Sequence, residues 1–246
     1  MSIFFLHSAT MYPKFLNWKV ENLAILVETN GGLVLVDTGL GVHDHVTPSK
    51  KVKFFRFQMG IPYAPEEPLV RQLPQMGFNI NDVKHIVMTH LHFDHAGGLA
   101  DFPWVQVHLH KKELDAKNKP GTWLERFAYD QADFAHHPDW VIYEHCTEKW
   151  YEFDAIPLPF EPKMYLIPLF GHTSGHCGVA IQDGSGWIFQ AADSIPTNAE
   201  FDLTPGWLNR MVIGSHVDRI KAFAQSHPEV RVLAGHTYQV KKKKNS

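Results

Sequence analysis

The chain is laid out as short apolar runs separated by glycine, proline and polar turns. Residues Asn22 to Glu28 read as a strand, Asn30-Gly31-Gly32 as a turn and Leu33 to Asp37 as the returning strand, which together predict a hairpin. Further strands are expected at Lys84 to Met88, Val105 to Leu109, Met164 to Phe170, Gly178 to Gln182, Trp187 to Ala192 and Glu229 to Leu233. Asp183 to Gly186 is the hairpin turn between two of them. Helical spacing is found over Glu66 to Met76, with Leu69, Val70, Leu73 and Met76 on one face and Pro74 predicting a kink or an early end. Lys111 to Lys117 predicts a short helix. Another starts at Ser215 as the cap, with Asp218 at the third position and Val217, Ile220, Phe223 and Ala224 as its inner face.

Residues 42 to 64 break this pattern. Lys51 to Gly60 is both basic and aromatic, and it reads either as an edge helix packed on the core or as a lid over a site. From Pro120 to Pro162 aromatics accumulate (Trp123, Phe127, Tyr129, Phe134, Trp140, Tyr143, Trp150, Tyr151, Phe153 and Phe160). They are expected to build a satellite core, part of which can line an apolar pocket.

With 246 residues and 44% hydrophobic content the chain can bury a sizeable core, as one large domain or two small ones. The expected division is a single domain over 1–240, with an aromatic-rich insertion at about 111–162, and a basic tail at 241–246. The formal charge of −3 gives no electrostatic footprint for nucleic acid. The lysine run at 241–244 reads as a solvated tail. Two cysteines, Cys146 and Cys177, make no disulfide framework, and Cys177 reads as a small buried residue. The apolar patch Ile3 to Leu6 has no basic region before it and no cleavage site after it. Neither a signal peptide nor a membrane span is expected, and a cytoplasmic location is the default.

Chemistry concentrates at His90-Leu91-His92-Phe93-Asp94-His95, after the apolar Ile86-Val87-Met88 and before Ala96-Gly97-Gly98. This reads as a strand ending in a loop that opens a helix. Side chains alternate along a strand, so His90 and His92 can point the same way, and the turn can bring Asp94 and His95 to a second position close by. Imidazole and carboxylate suit zinc, iron or manganese, and two pairs from one loop suggest two metal positions. His108 and His110 read as surface or packing residues, and His136, His137 and His145, which lack ligand spacing, as ordinary polar residues.

Thr89 to Gly98 resembles the signature of the metallo-β-lactamase superfamily, and the resemblance extends from Asn22 to Thr237. It implies a four-layer αβ/βα sandwich, an α/β fold of two similar halves with metals at one edge between the sheets. It implies the metal set His90, His92 and His172 at one position, Asp94, His95 and His236 at the other, and Asp193 bridging both. It places Asp37 behind the metal loop, orienting an imidazole. His176, in Gly171-His172-Thr173-Ser174-Gly175-His176, reads as a supporting residue. An Asp at 193 argues against the group of true β-lactamases that carries Cys there.

Two divalent cations, with Zn2+ expected and Fe, Mn or Co as alternatives, can share a hydroxide that is nucleophilic near neutral pH. Asp94 would orient it and carry its proton to the leaving group, so Asp94 and Asp193 are the catalytic candidates. The reading is hydrolysis of a small-molecule ester or lactone, with no nucleic-acid or membrane partner and a homodimer left open. Chain length and the aromatic segment look closest to the N-acyl homoserine lactonase-like group. That group often carries a Tyr after the bridging Asp. Ser194-Ile195-Pro196 stands here instead, so a promiscuous lactonase or arylesterase fits as well. Phosphotriester, phosphodiester or thioester hydrolysis is the alternative, and iron-dependent redox chemistry is the alternative of another class. A structural zinc site in a binding protein would be closed and tetrahedral, whereas this set leaves room for water.

Overall fold

The computed structural model describes residues 1–14, 18–121, 123–195 and 216–240. In chain order the first half holds β1 (Ile3–Met11), β2 (Trp18–Thr29), β3 (Gly32–Val36), α1 (Val42–Val46), α2 (Lys50–Met59), α3 (Leu69–Gln75), β4 (Val83–Val87), α4 (Phe93–Ala96), β5 (Gln106–His110), α5 (Lys111–Asn118), α6 (Trp123–Ala128) and β6 (Asp139–Tyr143). The second half holds β7 (Glu148–Trp150), β8 (Phe153–Leu158), β9 (Met164–Pro168), β10 (Cys177–Asp183), β11 (Gly186–Ala192), α7 (Val217–Ser226), β12 (Val230–Ala234) and β13 (His236–Val240).

The strands form two sheets. The first runs β1-β2-β3-β4-β5-β6, with β13 also paired to β2. The second runs β12-β11-β10-β9-β8-β7. β3, β4, β5 and β6 are parallel neighbours, which is why helices intervene between them. β8 to β11 form an antiparallel meander.

The alternation along β2 explains the layering. Leu23, Ile25 and Val27 face inward and meet Ile156, Leu166, Val179 and Ile181 of the second sheet. Ala24 and Leu26 face outward, under Leu69, Leu73 and Leu99. The outer face of the second sheet buries Phe189 and Ala180 against Ile220 and Phe223 of α7. The result is the expected four-layer αβ/βα sandwich of the metallo-β-lactamase fold.

Several local expectations need correction. The helix expected from Glu66 begins only at Leu69, behind Pro68, and ends at Gln75 just past Pro74. The aromatics of 120–162 form no satellite core among the described residues. Tyr129 and Phe134 join the first sheet's outer core, Phe160 the core between the sheets, and Trp150 and Phe153 the second sheet's outer core. The reason is that β6 and β8 are integral strands of the two sheets. Of the surface and packing roles expected for His108 and His110, the structure shows packing, since both are buried. His108 lies between His85 (3.0 Å) and the Tyr143 hydroxyl (2.9 Å), and His110 accepts from the Lys112 N–H to cap α5. The Ile3–Leu6 patch is the start of a nine-residue strand.

Lys50–Met59 is a helix capped by Ser49, with Val52 buried and the Phe55 ring 4.6 Å from Phe93 on α4. The packed-edge-helix expectation therefore describes it. The Ser215 cap, Pro196 and the lysine tail lie outside the described residues. No helix among the described residues is long and apolar enough to cross a membrane.

Buried histidines tie this fold to pH. The Nδ1 of His45 accepts from the Ala64 N–H at 3.3 Å, and burial with Arg56 nearby lowers its pKa from 6.5 to about 4. The folded state thus refuses a proton that the unfolded chain takes up, so this contribution to stability is complete above pH 6.5 and is lost as pH falls towards 4. His45→Asn keeps an acceptor for Ala64 without the titration. Urea unfolding across this range should show a shallower loss of stability for His45→Asn than for the parent chain, and equal slopes would refute the assignment.

Candidate metal centre

Each half of the site is delivered by strand ends at one edge of the sandwich. β3 ends at Asp37, β4 at the loop holding His90 to His95, β9 at the loop holding His172, and β11 at Asp193. Gly235 lets the chain cross from β12 in the second sheet to β13 in the first, and His236 pairs opposite Asn22 there. A Cβ on Gly235 would lie 2.4 Å from the Asp193 carboxylate, so no larger residue fits.

All seven side chains expected from the sequence converge. Their ligand atoms form three overlapping groups: His90, His92 and His172; His90, His95 and Asp193; and Asp94, His95 and His236. Within them His172 Nε2 lies 3.1 Å from His92 Nδ1. His236 Nε2 lies 3.2 Å from Asp193 Oδ2 and 3.9 Å from Asp94 Oδ2. His95 Nε2 lies 3.3 Å from Asp193 Oδ1. Ligands of one cation at 2.0–2.2 Å stand roughly 3–3.5 Å from each other, so these spacings suit metal coordination. Buried atoms point the same way. The Nε2 atoms of His90 and His95 and Oδ1 of Asp193 have no hydrogen-bond partner among the described residues. Such atoms are costly to bury unless something binds them.

Supporting groups set the tautomers. Asp37 accepts the Thr89 N–H (2.8 Å), the Thr89 hydroxyl (2.7 Å) and the Nδ1–H of His95 (3.0 Å). The Thr89 hydroxyl in turn lies 3.0 Å from His90 Nδ1. These contacts hold the Nδ1 protons away from the centre and turn both Nε2 lone pairs towards it. Asp37 (φ 57°) and Ala192 (φ 47°), directly before Asp193, are both left-handed, so strain is stored beside the site on both sheets. His176 Nε2 accepts from the Asp193 N–H at 3.2 Å and its Nδ1 lies 3.2 Å from the Ser194 hydroxyl. It therefore aims the Asp193 backbone, and Ser194 is engaged there and buried. Burial followed by neighbouring imidazoles lowers His176 to about 3.

The electrostatics divide the centre. Burial, then the surrounding imidazoles, holds His90 well below the usual histidine range. Burial and His172 do the same to His92, so both stay neutral lone-pair donors. Burial also works against a charge on His95, but Asp193 and Asp37 outweigh it and raise its pKa. Burial disfavours the Asp193 carboxylate, yet His236, His95 and His172 keep it ionised.

Two carboxylates went unnoticed in the sequence. Glu113, in the charged run Lys111 to Lys117, looks like a helix-surface residue, yet it is buried and accepts four hydrogen bonds. They come from the Leu91 N–H (2.8 Å), Tyr129 OH (3.1 Å), Thr173 OH (2.5 Å) and Gly175 N–H (3.2 Å). It thereby ties the His90–His92 loop to the His172 loop. Glu125 accepts from the N–H and hydroxyl of Ser174 in that second loop. No local signal marks either residue, because their partners are distant in sequence.

A family model described as "Metallo-beta-lactamase superfamily" matches residues 19–236. A probable metallo-hydrolase of Mycobacterium tuberculosis is 38% identical over 172 residues, which cover 69% of this chain and 55% of that one. The chain thus spans a little over half the length of that relative. An N-acyl homoserine lactonase of Bacillus thuringiensis is 26% identical over 196 residues, 75% of this chain and 69% of the relative. Among solved structures, an N-acyl homoserine lactone hydrolase with N-hexanoyl-L-homoserine bound at its catalytic metal centre superposes with a TM-score of 0.71. It is 21% identical, and the match covers 96% of this chain and 92% of that one.

Glu113 offers a direct test of the two-loop tie. In Glu113→Gln the amide NH2 must face either the Leu91 or the Gly175 N–H, and a backbone donor cannot rotate away. A loss of about 2–4 kcal/mol is expected in urea unfolding at neutral pH. A change within experimental scatter would remove Glu113 from this role.

Proposed function

The chain belongs to the metallo-β-lactamase superfamily, and from that premise we propose that it is a dinuclear-metal hydrolase of lactones or related esters. The observation that carries this reading is the overlap of the three ligand groups, His90 joining the first to the second and His95 the second to the third. A histidine group and an Asp94-containing group flank the Asp193 carboxylate, whose Oδ2 lies 3.5 Å from His172 Nε2 and 3.2 Å from His236 Nε2, and such a set suits two cations better than one. Imidazoles with carboxylates favour zinc, with Fe, Mn or Co as alternatives. Bound there, the two cations would supply Lewis acidity and an activated water.

The chain's own groups then have separate tasks. His90, His92 and His172 would hold one cation, Asp94, His95 and His236 would hold the other, and Asp193 would serve both. Asp94 is partly exposed at this edge, which suits a carboxylate that holds a proton for the leaving oxygen. The Asn22 side-chain amide donates to the Asp94 carbonyl and fixes that turn. The lactone or ester assignment is supported by the lactonase relative. The absence of a Tyr after Asp193 widens it to esters at large. One domain over 1–240, acting on a small molecule, belongs to the same proposal.

The test is a hydrolysis panel on metal-reconstituted protein: acyl lactones, aryl esters, phosphotriesters, phosphodiesters and glutathione thioesters, with metal analysis alongside. Lactone or ester turnover is expected, falling on the order of 10³-fold or more in His92→Ala and in Asp193→Ala. Cleavage of phosphodiesters alone, or bound iron without any hydrolysis, would overturn it. Asp37→Asn should weaken metal binding roughly 10–100-fold in chelator competition, because the His95 and Thr89 contacts lose their acceptor. Unchanged affinity would show that Asp37 only shapes the loop.

A further inference from the structure

A second cluster with metal-ligand chemistry lies behind the first. His43 and Asp44 come from α1, and Asp133 from the 3-10 turn Gln131–Phe134. His43 Nε2 is 3.0 Å from Asp133 Oδ1 and 3.2 Å from Asp44 Oδ1. These are the separations expected of neighbouring ligands on one cation, roughly 3–3.5 Å. The three residues share no member with the groups at the main centre.

The local hydrogen bonding does not close. Asp44 and Asp133 are both fully buried. Asp44 spends Oδ2 on the Gly41 N–H at 2.8 Å, so its Oδ1 has only His43. Asp133 Oδ2 and Asp130 Oδ2 have no hydrogen-bond partner among the described residues, and neither does His43 Nδ1. One Nε2 proton cannot serve two carboxylates. Asp130, at the start of the same 3-10 turn, adds a third carboxylate nearby. Buried acceptors in excess, with too few protons, are what a cation would resolve.

We propose that His43, Asp44 and Asp133 bind a third divalent metal, Mn2+ or Zn2+, with Asp130 beside it. One imidazole nitrogen with two or three carboxylate oxygens suits these ions. The site's place in the fold gives it a task. Asp44 lies against the backbone of Gly97, where a Cβ would meet its Oδ2 at 2.2 Å. The Thr38 and Gly39 N–H groups both donate to the His95 carbonyl. A cation here would pin α1 and the 131–134 turn behind the loop that carries Asp94 and His95.

The experiment is anomalous diffraction on crystals of the full chain loaded with three equivalents of Mn2+ or of Zn2+, with metal counts by mass spectrometry in solution. A peak bounded by His43 Nε2, Asp44 Oδ1 and Asp133 Oδ1 is expected. It should persist in Asp193→Asn, whose defect lies at the main centre. Asp133→Asn should hold about one metal fewer per chain than the parent. A filled main centre with no density at His43 would overturn the proposal and leave an imidazolium–carboxylate cluster. So would equal metal counts in the parent and in Asp133→Asn. If the main centre stays empty while the His43 site fills, the dinuclear reading fails and this one stands.

Discussion

The Asp37 carboxylate is the contact on which the candidate centre depends most. It accepts from the Thr89 backbone, the Thr89 hydroxyl and the His95 imidazole, and through Thr89 it reaches His90. Three donors on one buried carboxylate satisfy its oxygens and hold two imidazoles with their free nitrogens facing inward. The left-handed turn at Asp37 is the local cost of that aim, offset by these bonds. Without it, the His90–His95 loop would have the right residues in no particular orientation.

The second half of the site is held by equivalent means from other elements. His176 accepts from the Asp193 N–H, and Glu113 joins the His90–His92 loop to the His172 loop. Both residues lie out of solvent, and the bonds of Glu113 to Thr173 and Gly175 cross between the two halves of the sandwich. The sheets bring the strand ends together by packing Leu23, Ile25 and Val27 on Val179 and Ile181. That apolar contact is non-directional and sets positions to within a side chain. The carboxylate bonds supply the orientation that hydrophobic burial cannot.

Much of the fold and site was legible because it is written in short-range patterns. The β2–β3 hairpin, the β10–β11 hairpin and the strand before His90 follow from alternation and turn residues within a few positions. The His90 to His95 spacing announces its chemistry alone. Where reading failed, the governing contact was remote. For His108 the alternating strand leaves surface and packing roles open, and β6 decides for packing by covering it with Tyr143. The aromatics of 120–162 look like a separate core, but β6 and β8 send them into the sheets on both sides. Glu113 looks solvated because its run is charged, and only α5 docking on the metal loops buries it.

The sequence by itself determined the element types along most of the chain through local periodicity, and the compact His90 to His95 motif carried the family resemblance that implied the seven side chains gathered at one edge. Tertiary structure decided which carboxylates stand behind those side chains, that β13 returns His236 to the first sheet, and that His43 meets Asp133 across 90 residues. Those outcomes depend on pairing and burial between distant segments. Pairing of that kind leaves no mark on neighbouring residues, so it exists only once the two sheets have closed on each other.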